Sequence, residues 1–69
     1  MFMDNISKRI YELRKESGLS QQALAKKINV TQKSIDFWEK GINEPKASYI
    51  ISLAKFFQVS SDYLLGLED

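Results

Sequence analysis

A chain of 69 residues has room for one small domain, which buries only about 60% of the surface its unfolded form exposes. At 43% hydrophobic and 28% charged residues the composition is ordinary globular, but cysteine and histidine are absent, which excludes disulfides, thiolate and imidazole metal sites and every histidine-based triad. The net charge of +1 is split: residues 1–40 carry eight basic and five acidic side chains, net +3, and residues 41–69 carry two and four, net −2.

Ile6, Ile10, Leu13 and Ser17 recur at four, three and four residues, which predicts a helix over 5–17 with these side chains inward. Asp4 or Asn5 is placed to cap its start and Gly18 to stop it. Ser20 caps a second helix, in which Ala23, Leu24, Ala25 and Ile28 put small residues on one side. Asn29 tolerates the left-handed conformation and ends it. Thr31 caps a third helix, Ile35 and Trp38 face inward, and Gly41 terminates it. Residues 42–45 form a loop, with Pro45 holding Glu44 out of helical geometry.

A fourth helix is predicted over 47–57, with Ile50, Leu53, Ala54 and Phe57 inside. Lys46 stands where a capping side chain is wanted, so that cap is either missing or supplied by Ser48. Ser60 caps a last short helix containing Tyr63, Leu64 and Leu65, stopped by Gly66. No alternating run or hairpin dipeptide signals a strand. The expected fold class is all-α, a bundle of five short helices forming a single domain over 1–69. The longest apolar run, Tyr49 to Ala54 interrupted by Ser52, is far short of the roughly 20 residues of a membrane span. The opening Met1-Phe2-Met3-Asp4 lacks the basic flank and apolar stretch of a secretion signal, so a cytoplasmic protein with no membrane partner is expected.

Residues 20–41, SQQALAKKINVTQKSIDFWEKG, describe a short helix, a tight turn and a second short helix. Ala25 supplies the small residue two closely crossing helices need, Asn29 the turn residue, and Ile35 and Trp38 the inward anchors one turn apart. The stretch resembles the helix-turn-helix of the phage-repressor/Cro family, the xenobiotic-response-element-like regulators. Nearly the whole chain shares in the likeness: Arg9-Ile10 with Leu13-Arg14, Gly18-Leu19-Ser20-Gln21, Leu24-Ala25, Val30-Thr31-Gln32, Ser34-Ile35, Trp38-Glu39-Lys40-Gly41, Pro45, Leu53-Ala54, Val59-Ser60 and Asp62-Tyr63-Leu64-Leu65-Gly66. No single piece is specific; the combination at this spacing is. The resemblance implies a lambda-repressor-like fold and a DNA-binding transcriptional regulator, usually a bacterial or phage repressor. It would bind an inverted-repeat operator as a homodimer, with the third helix in the major groove.

On that reading the outward side of the third helix carries the base contacts, Thr31, Gln32, Lys33 and Phe37. A glutamine can bond adenine N6 and N7, and a lysine can donate to guanine O6 and N7. Thr31 is open to two roles, a helix cap or a contact to phosphate or a thymine methyl. Phe37 departs from the family's usual polar residue: it either meets a thymine methyl, packs over Lys33 or Gly41, or leans into a partner surface. Asp36 either accepts from cytosine N4 or bridges to Lys33 or Lys40. Gln21 matches the family's phosphate-clamping glutamine at a positive helix N-terminus. Gln22, Ser34, Lys40 and Asn43 are further phosphate candidates. Arg14 and Glu39 match a family ion pair that ties the first helix to the third.

The apolar side chains Phe56, Tyr63, Leu64 and Leu67 near the C-terminus form the expected dimer interface, with Phe2 and Met3 as possible additions. No cofactor or small-molecule ligand is implied. An antitoxin or anti-repressor module using the same fold to bind protein is the alternative, favoured by Asp36, Phe37 and the modest charge. An enzyme is not expected: without histidine or cysteine it would need converging carboxylates or a pocket lysine, and the acids are scattered.

Overall fold

The computed structural model describes residues 2–68, with side chains from Asn5 onward. Five helices follow in chain order, α1 (Phe2–Glu16), α2 (Gln21–Ile28), α3 (Gln32–Lys40), α4 (Ala47–Phe57) and α5 (Ser61–Leu64), and the described residues contain no strand. Most boundaries follow local chemistry. Ser20, Thr31 and Ser60 each sit in extended geometry and accept a hydrogen bond from the backbone N–H three residues on. Each cap satisfies one of the donors a helix start leaves unpaired. Asn29 closes α2 with φ 61°, and Gly41 closes α3 with φ 75°.

The first helix departs from expectation at its start. It begins at Phe2, so Asn5 lies inside the helix and is not its cap. The side chains of Phe2, Met3 and Asp4 lie outside the described ones. Its inward face also differs: Ser17 is exposed, and Arg14, in the last turn of the helix, takes the inner position with only 8% exposure. An apolar pattern could not show this, because the residue that turns inward is charged. The start of α4 carries Lys46 in extended geometry with no side-chain cap bond, and Ser48 supplies none. Its end is closed by Gln58 at φ 58°, a left-handed residue that carries no glycine or asparagine signal.

The core is built from Ile6 and Ile10 of α1, Leu24 and Ala25 of α2, Ile35 and Trp38 of α3, Leu53 and Ala54 of α4, and Leu64 of α5. Leu13, Ile28, Val30, Ile50 and Phe57 pack against it from the rim. The Trp38 and Tyr49 rings meet at 5.4 Å between centroids and hold α4 against α3. Leu64 is 1% exposed, so it belongs to this core and not to a dimer surface. A domain this small needs an anchor from every helix, and Leu64 is the one buried residue that α5 supplies.

Arg9 fastens the C-terminal segment back onto α1: its Nη1 donates to the carbonyls of Tyr63 at 3.0 Å and Glu68 at 2.8 Å. Gly66, at φ 79°, lies against Asn5, where a Cβ would come within 2.7 Å of the amide. No helix among the described residues is long and apolar enough to cross a membrane. Lys46→Ser should supply the missing cap of α4 and raise stability by about 1 kcal/mol in urea unfolding. An unchanged or lower midpoint would show that the start of α4 is held by other means.

Candidate nucleic-acid interface

The turn between α2 and α3 is set by two backbone features. Asn29 in the left-handed region reverses the chain, and the Val30 N–H returns to the carbonyl of Ala25 at 2.9 Å. Thr31 then starts α3 by accepting from the Ser34 N–H at 3.1 Å. Ala25, Ile35 and Trp38 are buried, so α3 presents Gln32, Lys33, Asp36, Phe37 and Lys40 away from the core.

Beneath that surface lies a buried ion pair. The Arg14 guanidinium donates from Nε to Glu39 Oε2 at 2.6 Å and from Nη2 to Oε1 at 2.9 Å, while Nη1 donates to the Leu19 carbonyl at 2.9 Å. Glu39 holds the Arg14 pKa above its ordinary value, against the opposing effect of burial. The two side chains are only 9% and 5% exposed. The forked, bidentate geometry fixes the orientation of α3 relative to α1.

A chain of hydrogen bonds climbs from this pair to the surface. Gln21 Nε2 donates to Glu39 Oε1 at 3.0 Å and to Asp36 Oδ1 at 3.3 Å. Gln21 Oε1 in turn accepts from Gln32 Nε2 at 2.6 Å. Carboxylates only accept, so they fix which end of each amide is donor and which acceptor. The side chain of Gln21, expected at a phosphate, is thus engaged inward. What α2 offers outward at its start is the backbone N–H groups of Gln21 and Gln22, which have no acceptor inside the helix.

Both residues that fit the expected pattern poorly find partners on their own helix. Asp36 Oδ2 pairs with Lys40 Nζ at 3.0 Å, one of its two anticipated arrangements. The Lys40 ammonium, and after it the Gln21 amide, hold the Asp36 carboxyl below its ordinary pKa. Phe37 is half-buried, and the Lys33 ammonium stands 5.4 Å from its ring centroid. Thr31 Oγ1 and Ser34 Oγ are 2.9 Å apart, so the threonine hydroxyl is occupied as a cap while its side chain stays exposed.

A notch of about 490 Å³ opens where α3 meets the following loop and α4, lined by Ser34, Trp38, Asn43, Glu44, Lys46 and Tyr49. Ser34 and Asn43 are both sequence candidates, and the fold brings them to one site. Lys46 and Tyr49 were not among the candidates. The signal that could have found Lys46 is its place directly after Pro45, at an uncapped helix start.

The family model described as Helix-turn-helix matches residues 10–64. The chain belongs to the helix-turn-helix family. The HTH-type transcriptional regulator ImmR of Bacillus subtilis (strain 168) is 29% identical over 65 residues, covering 94% of this chain and 51% of that protein. Repressor protein C2 of Salmonella phage P22 is 37% identical over 60 residues, covering 87% of this chain and 28% of that protein. The chain thus spans about half the length of ImmR and less of the phage repressor. The crystal structure of the P22 c2 repressor in complex with synthetic operator 9T superimposes with a TM-score of 0.86 at 35% identity, covering 91% of this chain and 96% of that one.

In this helix-turn-helix domain the expected dimer residues separate. Phe56 is 38% and Leu67 66% exposed, whereas Leu64 is in the core. Tyr63 is half-buried, and the Arg9 guanidinium covers one face of its ring at 4.1 Å from the centroid.

Two outcomes test this geometry. Arg14→Met and Glu39→Leu should each cost on the order of 3 kcal/mol by leaving one buried charge alone, and the double variant should cost clearly less than the sum. Additive losses in urea unfolding would refute the coupling. Asp36 has a lowered folded-state pKa, so its contacts with Lys40 and Gln21 stand above the unfolded-state value and are lost as pH falls through the folded one. Carboxyl-carbon NMR should place its midpoint below the ordinary value of about 3.9, and Lys40→Ala should move it up.

Proposed function

We propose that this domain binds double-stranded DNA with sequence preference, with α3 in the major groove, and serves as a transcriptional regulator of the repressor type. The observation that carries the reading is the braced pair of glutamines. One N–H of Gln32 is committed to Gln21, which leaves one N–H and the carbonyl oxygen facing outward. One donor beside one acceptor complements adenine N7 and N6 in the major groove. Guanine presents two acceptors at the same place and is disfavoured. The likeness to a phage repressor solved on a synthetic operator supports the same orientation of α3.

Lys33 is the exposed donor placed for guanine O6 and N7, and the exposed Thr31 side chain lies at the groove-entering end of α3. Phosphates on one side of the groove meet the backbone N–H groups of Gln21 and Gln22 at the positive end of α2. Those on the other side meet the notch, with Ser34, Asn43 and Lys46 as donors. Lys40 joins them by exchanging Asp36 for phosphate. Pairing of two copies through the exposed Phe56 and Leu67 would present two such helices to an inverted repeat.

One observation favours the protein-binding alternative, an antitoxin or anti-repressor module: Asp36 neutralises Lys40, and Glu44 stands in the notch, so the face is less positive than its lysine content suggests. Selection of bound duplexes from a random library at physiological salt separates the two. An inverted repeat with half-sites about 10 base pairs apart, centre to centre, is expected. Gln32→Ala should relax the choice at one base pair per half-site. Lys46→Ala should weaken all sequences alike and lower the salt slope by about one. Failure to enrich any duplex would overturn the DNA reading in favour of a protein partner.

A further inference from the structure

Phe37 is used neither by the core nor by the glutamine brace. Ile35 and Trp38 of the same helix already fill the interior, and the aromatic ring sits half-exposed on an otherwise polar face. Its neighbours on that face are accounted for. Gln32 is tied to Gln21, and Asp36 and Lys40 satisfy each other at 3.0 Å. What remains is Lys33 and Phe37, one helical turn apart, with the ammonium 5.4 Å from the ring centroid. The cation is attracted to the ring face and holds its long side chain against it. The pair therefore presents one strong donor flush beside one apolar surface.

A ligand that complements this pair needs adjacent acceptors and an apolar projection a few ångströms away. Among base edges in the major groove, guanine supplies the acceptors O6 and N7, and the C5-methyl group of a pyrimidine supplies the projection. Bases on one strand rise about 3.4 Å per step, so a span of 5.4 Å reaches from one base to a neighbour. We infer that Lys33 and Phe37 form one composite reader, Lys33 donating to a guanine while the Phe37 ring receives the C5-methyl of a neighbouring pyrimidine. This rests on the placement of α3 in the major groove proposed above. The methyl group can come from thymine or from 5-methylcytosine; unmodified cytosine and uracil lack it.

The test uses the full chain and the best duplex from the selection, with affinity read by fluorescence anisotropy at one fixed salt concentration. Thymines are replaced one at a time by deoxyuridine, which removes only the methyl group. One position per half-site, next to a G·C pair, should lose affinity about fourfold, the equivalent of roughly 0.8 kcal/mol for one buried carbon. At that position 5-methylcytosine should bind more tightly than cytosine by a similar factor, which separates the methyl group from the identity of the base. Phe37→Gln should abolish both differences while the preference at the Gln32 base pair persists and the thermal midpoint shows the variant folded. Uniform indifference to deoxyuridine, or an unchanged penalty in Phe37→Gln, overturns the composite reader while the DNA reading stands. Absence of any preferred duplex overturns both.

Discussion

The arrangement of the whole surface depends on one buried ion pair. Arg14 leaves the apolar face of α1 at the point where the helix crosses under α3, and its planar fork meets both oxygens of Glu39. Such a pair adds little net stability, because removing two charges from water offsets most of their attraction. Its contribution is directional. A bidentate guanidinium–carboxylate contact permits one relative orientation of the two helices, where apolar packing alone permits several. Glu39 also accepts from Gln21, and Gln21 from Gln32, so a constraint set in the interior reaches the outermost residue of the helix start.

The same hydrogen bonds turn a structural constraint into a chemical one. An amide group is ambiguous by itself, since either end can face outward. Two carboxylates below Gln21 accept and never donate, which settles its polarity and then that of Gln32. The outward donor and acceptor of Gln32 are thus set by the ionic state of two carboxylates that it does not itself touch. Asp36, an anion on the outward face of α3, sits inside this network, with Lys40 balancing its charge.

Two departures from local rules lie on or beside α3. Ser20, Thr31 and Ser60 cap their helices as their chemistry dictates, but Lys46 does not cap α4, and it lines the notch beside α3. Phe37 is an aromatic on a polar face of α3. A chain selected for stability alone would have a hydroxyl or carboxylate at the first position and a polar residue at the second. Local inconsistency of this kind is what the binding role proposed for this face would produce in competition with folding.

The helices and the turn between α2 and α3 were readable from the chain because their causes are local: a capping hydroxyl, a left-handed asparagine or glycine, and apolar residues spaced for one face. The predicted α4 agrees with the observed Ala47–Phe57 for the same reason. The start of α1, the left-handed Gln58 and the inward turn of Arg14 carry no such local signal. Leu64 and Leu67 are both leucines near a chain end, and only the packing of α5 against α1 and α4 sends one to the core and leaves the other exposed. The partner of Asp36, the lysine on Phe37 and the gathering of Ser34, Asn43 and Lys46 around one notch were likewise decided in three dimensions. Periodicity identifies which face of a helix is apolar. Which polar side chains meet across helices depends on crossing angles and distances that one-dimensional spacing does not contain.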